Sequence, residues 1–156
     1  IKLAALTDYF VVSEHFARDY MSYRALSTEK ELKTALLELN KICRGEAFIT
    51  LGEKGCAFLK SGMLHIVPAW QCQAVDTTGA GDVFHGAFLA AIVKGLSPKD
   101  AARFASGVAA IKCTRIGGRA GIPNWEVTDN FLETGEIDYR EIDERVKKYG
   151  RGIEYV

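Results

Sequence analysis

The chain has 156 residues, of which 48% are hydrophobic and 26% charged, and this composition is typical of a folded globular domain. Twenty basic side chains balance twenty acidic ones, so the formal net charge is zero. A general electrostatic attraction to nucleic acid or to an anionic membrane is therefore excluded as the basis of function. The longest uncharged runs, 61–75 and 83–93, are shorter than the ~20 apolar residues of a membrane span.

The first part of the chain predicts strands that alternate with helices. Tyr9–Val12 is a short apolar run typical of a buried strand, and a short helix is expected over 14–23. Thr28 and Glu31 have the spacing of a capping box, so they predict the start of a second helix, whose leucines recur at helical spacing. After Gly45 the sequence predicts three strands, at 47–51, 56–59 and 63–67, the last two forming a hairpin.

The second part of the chain predicts mainly helices. A strongly apolar helix follows Asp82, and Ser97 with Pro98 starts an alanine-rich helix that is apolar on most sides. Asn124 is expected to cap a third helix, and the polar residues from Gly135 onward predict a surface helix or a tail. Strands alternating with helices indicate the α/β class.

The cysteines and the start of the chain predict its redox environment and its place in a longer polypeptide. Cys43, Cys56, Cys72 and Cys113 match no Cys-x-x-Cys pattern, and their apolar neighbours predict buried, reduced thiols in a cytoplasmic protein. The chain begins at Ile1 with neither Met nor a basic-then-apolar leader, so its start is expected to lie inside a longer polypeptide.

The most informative segment is the loop Asp76-Thr77-Thr78-Gly79-Ala80-Gly81-Asp82, which runs directly into a helix. Small residues at a helix start present unpaired N–H groups and the positive end of the helix dipole, which favours an anion. Asp82 could accept a proton from an attacking hydroxyl, or it could simply be a favourable charge in the first helical turn. The chain has no P-loop motif, and Gly79-x-Gly81 lacks the third glycine of a dinucleotide fingerprint. The residues alone therefore predict an anion site without a particular substrate.

Residues 76–88 resemble the second signature of the ribokinase-like (PfkB) carbohydrate kinase family. Supporting matches follow the family's order on both sides of that segment. Thr50-Leu51-Gly52-Glu53-Lys54-Gly55 resembles the family's Thr-x-Gly-x-x-Gly nucleotide loop. Residues 105–110 and 117–123 resemble its closing helix and loop, so the resemblance covers roughly residues 8–134.

The resemblance implies a ribokinase-like three-layer α/β/α sandwich, of which residues 1–134 are the C-terminal nucleotide-binding part and 135–156 a polar C-terminal extension. The family's first signature, sugar-binding strands and lid all precede the matched region. The chain is therefore expected to be a C-terminal part or a truncation of a kinase. Its implied partners are ATP and a sugar, together with a homo-oligomeric copy or the missing N-terminal half, and no membrane or nucleic acid.

The resemblance also implies a reaction, which is transfer of the γ-phosphate of ATP to a sugar hydroxyl with magnesium and, in many members, with potassium bound nearby. Asp82 takes the position of the catalytic base, and the N–H groups of Gly79, Ala80 and Gly81 take that of the anion hole. The implied ATP-contacting residues are Thr50, Gly52, Gly55 and Ser106. The implied potassium ligands are Asp76 and Thr78, completed by carbonyls near Lys112, Arg115, Gly117 and Gly121.

The chain departs from the family at one corner. Where the family often carries Asn-x-x-Glu, this chain has Ser13-Glu14-His15-Phe16, so Ser13 replaces the Asn and Phe16 the Glu. Glu14 either compensates in metal handling or is only a charge at a helix start. Two alternative functions remain open, namely a nucleoside or vitamin-precursor kinase of the same fold and a non-catalytic nucleotide-binding fragment.

Overall fold

The chain contains both strands and helices, as the sequence predicts for the α/β class. Within residues 2–149 all strands lie before residue 68, and helices follow one another after it. The computed structural model describes residues 2–149, and it divides into two units, Ile1–Pro68 and Ala69–Val156. Residues 150–156 of the predicted polar extension lie outside the described residues. Within residues 2–149, no helix combines the length and the apolar character that crossing a bilayer requires.

The first unit is built on a four-stranded mixed sheet in the order β1-β2-β3-β4, whose strands are β1 (Tyr9–Ser13), β2 (Glu46–Thr50), β3 (Cys56–Lys60) and β4 (Met63–Val67). β1 runs parallel to β2, whereas β2–β3 and β3–β4 are antiparallel pairs. Helices α1 (Glu14–Tyr20) and α2 (Glu29–Ile42) connect the two parallel strands. The β3–β4 pair is the hairpin that the sequence predicts.

Helix α2 supplies most of the apolar surface that covers this sheet. Leu36 and Leu39 are fully buried and share one core cluster with Ile49 of β2. The predicted capping box is present, with Glu31 N–H donating to the Thr28 hydroxyl and Thr28 N–H donating to the Glu31 carboxylate. Helix α1 ends at Tyr20, earlier than predicted, because the backbone turns away within the next residues and Ser22 adopts a left-handed φ of 55°.

The described part of the second unit, up to residue 149, has four helices, α3 (Ala80–Val93), α4 (Pro98–Cys113), α5 (Trp125–Thr134) and α6 (Arg140–Tyr149). α4 packs against both α3 and α5. The prediction that α4 is enclosed is confirmed, because Ala101, Ala105 and Ile111 are fully buried. This enclosure positions the last turn of α4 beside the loop that leads into α3.

Of the two alternatives for the polar segment after Gly135, the structure has the helix. Ile142 and Val146, four residues apart on one face of α6, are buried in a cluster with Ile111 and Phe131. The Asp143 carboxylate accepts two hydrogen bonds from the Arg115 guanidinium, at 2.6 and 3.2 Å. Helix α6 therefore contributes to the core of the second unit.

All four cysteines are free thiols. Cys43, Cys56 and Cys113 are buried as predicted, whereas Cys72 is half-buried. Desolvation raises the pKa of the Cys56 thiol to about 12. Because only a thiolate is an effective nucleophile or metal ligand, Cys56 is a packing residue.

Candidate active site

The Asp76 carboxylate links two loops of the second unit. One of its oxygens accepts the Thr78 N–H at 2.8 Å, and the other accepts the Gly117 N–H at 2.7 Å. These hydrogen bonds, led by the one from Gly117, stabilise the ionised form and lower the pKa of Asp76 to about 2. Asp76 is therefore a carboxylate throughout the physiological pH range, and its two oxygens are engaged by backbone N–H groups.

Lys112, in the last turn of α4, is a fully buried side chain directed at the same loop. Its ammonium group donates to the Asp76 carbonyl at 2.9 Å and to the Thr78 carbonyl. The family resemblance implies a role only for a carbonyl near Lys112, and the Lys112 side chain is a further residue of this loop. The available signal was a lysine inside the apolar run Val108–Cys113, where a charge is costly unless it is paired.

The start of helix α3 is shaped by glycine. Gly79 has a left-handed backbone, with φ 75° and ψ 7°. A Cβ at Gly79 would lie 3.5 Å from backbone atoms of Gly118, so the two glycine loops approach each other closely. The Ala80 N–H donates to the Thr77 carbonyl at 3.1 Å. Among the predicted anion-hole donors in the described chain, the N–H groups of Gly79 and Gly81 are therefore the ones with no acceptor.

Asp82 lies in the first turn of α3 and is exposed. No hydrogen bond or ion pair joins its carboxylate to another described residue. It stands next in sequence to the unpaired N–H of Gly81, at the positive end of the helix dipole. An unpaired carboxylate beside unpaired N–H groups is the arrangement that a base and an oxyanion site require.

The predicted nucleotide loop is a tight turn in the first unit. Thr50 ends β2, and its hydroxyl donates to the Val12 carbonyl at 3.4 Å. The Leu51 N–H donates to the Gly55 carbonyl at 2.7 Å, and the Gly55 N–H donates to the Gly52 carbonyl at 3.1 Å. Gly52 (φ 60°) and Gly55 (φ 105°) adopt conformations that favour glycine, so both are required by the turn itself.

Ser106 and the Ser13–Phe16 corner are engaged within the chain. Ser106 is buried in the middle of α4, and its hydroxyl accepts the Trp70 N–H at 3.4 Å. The Ser13 hydroxyl caps α1 by accepting the Phe16 N–H at 3.1 Å. Phe16, where the family often has a carboxylate, stacks on Tyr20 with a ring-centroid distance of 6.3 Å.

The structure thus brings Asp76, Thr78, Gly79, Gly81 and Asp82 together in one loop and helix start of the second unit. Thr50, Gly52 and Gly55 form the turn of the first unit. Across residues 2–149, no group of three or more His, Cys, Asp or Glu side chains is arranged to hold a metal ion.

Comparison with known proteins identifies the family. The model of the pfkB family of carbohydrate kinases matches residues 2–125, and the chain belongs to that family. The ribokinase of Lactococcus lactis is 29% identical over 138 residues, which cover 88% of this chain and 43% of that protein. The ribokinase of Haemophilus influenzae is 41% identical over 85 residues, or 54% of this chain and 28% of that protein.

Comparison with solved structures finds the same fold family. The structure of Arabidopsis thaliana ribokinase complexed with ribose and ATP superposes with a TM-score of 0.77 at 26% identity, over 85% of this chain and 43% of that one. The predicted ribokinase-like α/β fold is confirmed. The chain spans less than half the length of these relatives, and the match at residues 2–125 does not support its placement in the C-terminal part of the family's domain. That placement stays a prediction.

Proposed function

We propose that this chain provides the nucleotide side of an ATP-dependent sugar kinase, in which Asp82 is the catalytic base. The observation that carries the proposal is the start of α3, where an exposed, unpaired carboxylate adjoins the unpaired N–H groups of Gly79 and Gly81. Because the chain belongs to the pfkB family of carbohydrate kinases, the reaction that we assign to these residues is phosphate transfer to a sugar hydroxyl. We also propose that residues 1–134 correspond to the C-terminal part of the family's domain, and that the protein acts in the cytoplasm.

In the proposed reaction, Asp82 accepts the proton of the attacking sugar hydroxyl. The hydroxyl oxygen then forms a bond to the γ-phosphorus as the bond from that phosphorus to the β–γ bridging oxygen breaks, and ADP leaves. The N–H groups of Gly79 and Gly81 donate to the phosphoryl oxygens, on which negative charge spreads in the transition state. The Ala80 N–H, already donating to Thr77, contributes through the shape of the turn.

Magnesium is proposed as the cofactor, and it would neutralise phosphate charge when bound. Mg²⁺ commonly keeps several waters and is held through substrate phosphates with one or two carboxylates. A site of that kind needs no preformed group of three protein ligands, and residues 2–149 hold no such group of His, Cys, Asp or Glu side chains. Glu14, in the first turn of α1, is the acid that the chain offers at the corner where the family often has Asn-x-x-Glu.

On the ATP side, we propose that the turn from Thr50 to Gly55 contacts the nucleotide through its backbone. Gly52 is exposed, and the space around its missing Cβ is open, so a ligand can approach the chain there. Ser106 is proposed to act indirectly, because its hydroxyl is engaged with the Trp70 N–H and fixes the segment after residue 68.

Replacing Gly52 by valine is expected to weaken ATP binding by about tenfold or more, because a side chain would occupy the approach to the backbone and strain its left-handed φ. Isothermal titration of ATP into a polypeptide of full family length that carries this sequence measures the affinity. Gly62→Val is the matched control, since Gly62 also has a left-handed φ (74°) and open surroundings but lies in the β3–β4 turn. Equal ATP affinity in the two variants would show that the 50–55 turn is only a connector.

The proposed function is tested by mixing the purified chain with Mg-ATP and a panel of sugars, nucleosides and vitamin precursors, and measuring phosphorylated product. We expect the 156 residues alone to bind ATP weakly and to form no sugar phosphate, since they span less than half of their relatives. A polypeptide of full family length that carries this sequence, as a single chain or with an oligomeric partner, is expected to form it. ATP binding without transfer in that polypeptide would instead support a non-catalytic nucleotide-binding function.

A further inference from the structure

Lys112 is the one charged side chain among residues 2–149 that is buried. Its ammonium group faces no carboxylate hydrogen-bond partner, and instead donates to two main-chain carbonyls of the loop before α3, those of Asp76 and Thr78. A buried ammonium is costly unless its donors are satisfied, so a lysine at this position calls for an explanation.

Of the oxygens that the family resemblance implies as potassium ligands, those of Asp76 and Thr78 are already in use. The Thr78 carbonyl and the Asp76 carbonyl both accept from Lys112, and the two carboxylate oxygens of Asp76 accept backbone N–H groups of Thr78 and Gly117. A potassium ion on the same oxygens would stand beside the ammonium group, where two positive charges repel each other. The residues present therefore do not fit a bound potassium ion.

We infer that the ammonium group of Lys112 is a cation built into the chain, which joins Asp76 and Thr78 and makes this loop independent of potassium. The covalent tether removes most of the entropy cost that a free ion incurs on binding, so the loop is held at any salt composition. Lys112 is a positioning residue in this scheme, because it fixes the turn from which Gly79 and helix α3 begin. The effect of this positioning on phosphate transfer rests on the proposed function, whereas the independence from potassium does not.

The test is a comparison of thermal unfolding in potassium, sodium, ammonium and tetramethylammonium chloride at equal ionic strength, with the full chain. The wild type is expected to keep the same Tm within about 1 °C in all four salts. Lys112→Ala removes the ammonium and leaves space for an ion, so its Tm should fall by about 5–10 °C in tetramethylammonium. Potassium or ammonium should then restore about 3 °C or more, because an ion that binds only the folded state stabilises it.

Two further variants distinguish the effect of the positive charge on stability from the effect of packing. Lys112→Met fills the space with an uncharged chain of similar length, so it should be destabilised and should gain nothing from potassium or ammonium. Lys99→Ala removes an exposed lysine from the same helix and should show no cation dependence. Because unfolding is the readout, these results stand apart from kinase activity, and a chain that transfers no phosphate leaves the inference intact.

Three outcomes would overturn the inference. The first is a wild-type Tm raised by potassium over sodium by about 3 °C or more, which would mean that an ion site exists beside Lys112. The second is a folded Lys112→Ala variant that responds to none of the cations. The third is a Lys112→Ala variant that fails to fold in every salt, because an ion in the vacated space should restore the loop.

Discussion

The Asp82→Asn variant is expected to lower kcat for sugar phosphorylation by at least ~100-fold while ATP affinity changes less than about twofold. Asparagine keeps the shape of the side chain but cannot accept the proton of the attacking hydroxyl. Since the Asp82 carboxylate has no partner among the described residues, its replacement breaks no internal hydrogen bond or ion pair. The measurement is steady-state kinetics on a polypeptide of full family length carrying this sequence, with ATP binding followed separately.

The matched control is Glu126→Gln, which changes an exposed acid in the first turn of α5 that, like Asp82, has no partner among the described residues. If Asp82 is only a favourable charge at a helix start, the two variants should behave alike, each losing about 0.3–1 kcal/mol of stability with turnover retained. Retained turnover in Asp82→Asn would therefore remove Asp82 as the base and restore the alternative interpretation. Loss of turnover in both variants would point to a general effect of helix stability.

Gly45→Ala is expected to destabilise the protein by about 3 kcal/mol or more, the largest effect that we foresee for a single methyl group. The added Cβ would lie 1.9 Å from the Asp8 carbonyl oxygen and 2.8 Å from the Asp8 Cα. Both are backbone atoms, and Glu46 N–H donates to that same carbonyl at 2.8 Å where strands β1 and β2 begin to pair. The backbone would have to move, which breaks the start of the parallel ladder.

Urea denaturation monitored by circular dichroism measures the free energy of unfolding of the Gly45→Ala variant. Gly86→Ala is the control, because a Cβ at Gly86 meets nothing within 4 Å and the residue lies inside helix α3. Alanine there should stabilise the protein by about 0.5–1 kcal/mol. A Gly45→Ala variant as stable as the wild type would show that the 44–46 connection rearranges at little cost.

Local patterns predicted most elements because they are encoded within a few residues. The capping box at Thr28 and Glu31 and the Pro98 start of α4 specify helix beginnings through their own backbone. The sequence predicts the end of α1 too late, since no glycine marks the left-handed turn at Ser22. The sequence does not distinguish a helix from a tail at α6, because Ile142 and Val146 lie among charged residues and the surface that covers them comes from α4 and α5, earlier in the chain.

The candidate site also has features that are encoded locally and features that depend on residues far along the chain. The placement of Gly79 and Asp82 at a helix start could be predicted because the loop and helix start form one continuous segment. The roles of Lys112 and Ser106 depend on partners 34 to 36 residues away, at Thr78, Asp76 and Trp70, so spacing along the chain gives no sign of them. Whether a polar side chain in an apolar helix faces a ligand or its own chain is decided by packing.

Helix α6 has a practical consequence for anyone who wishes to shorten this protein at residue 134, where the family resemblance ends. Trimming there would uncover Ile111, the residue before Lys112, and would take the carboxylate of Asp143 away from Arg115. Arg115 lies two residues before Gly117, whose N–H holds Asp76. If a shortened protein lost the proposed nucleotide binding, the loss would thus reflect a weakened internal contact, and it would not show that the removed segment has a chemical role.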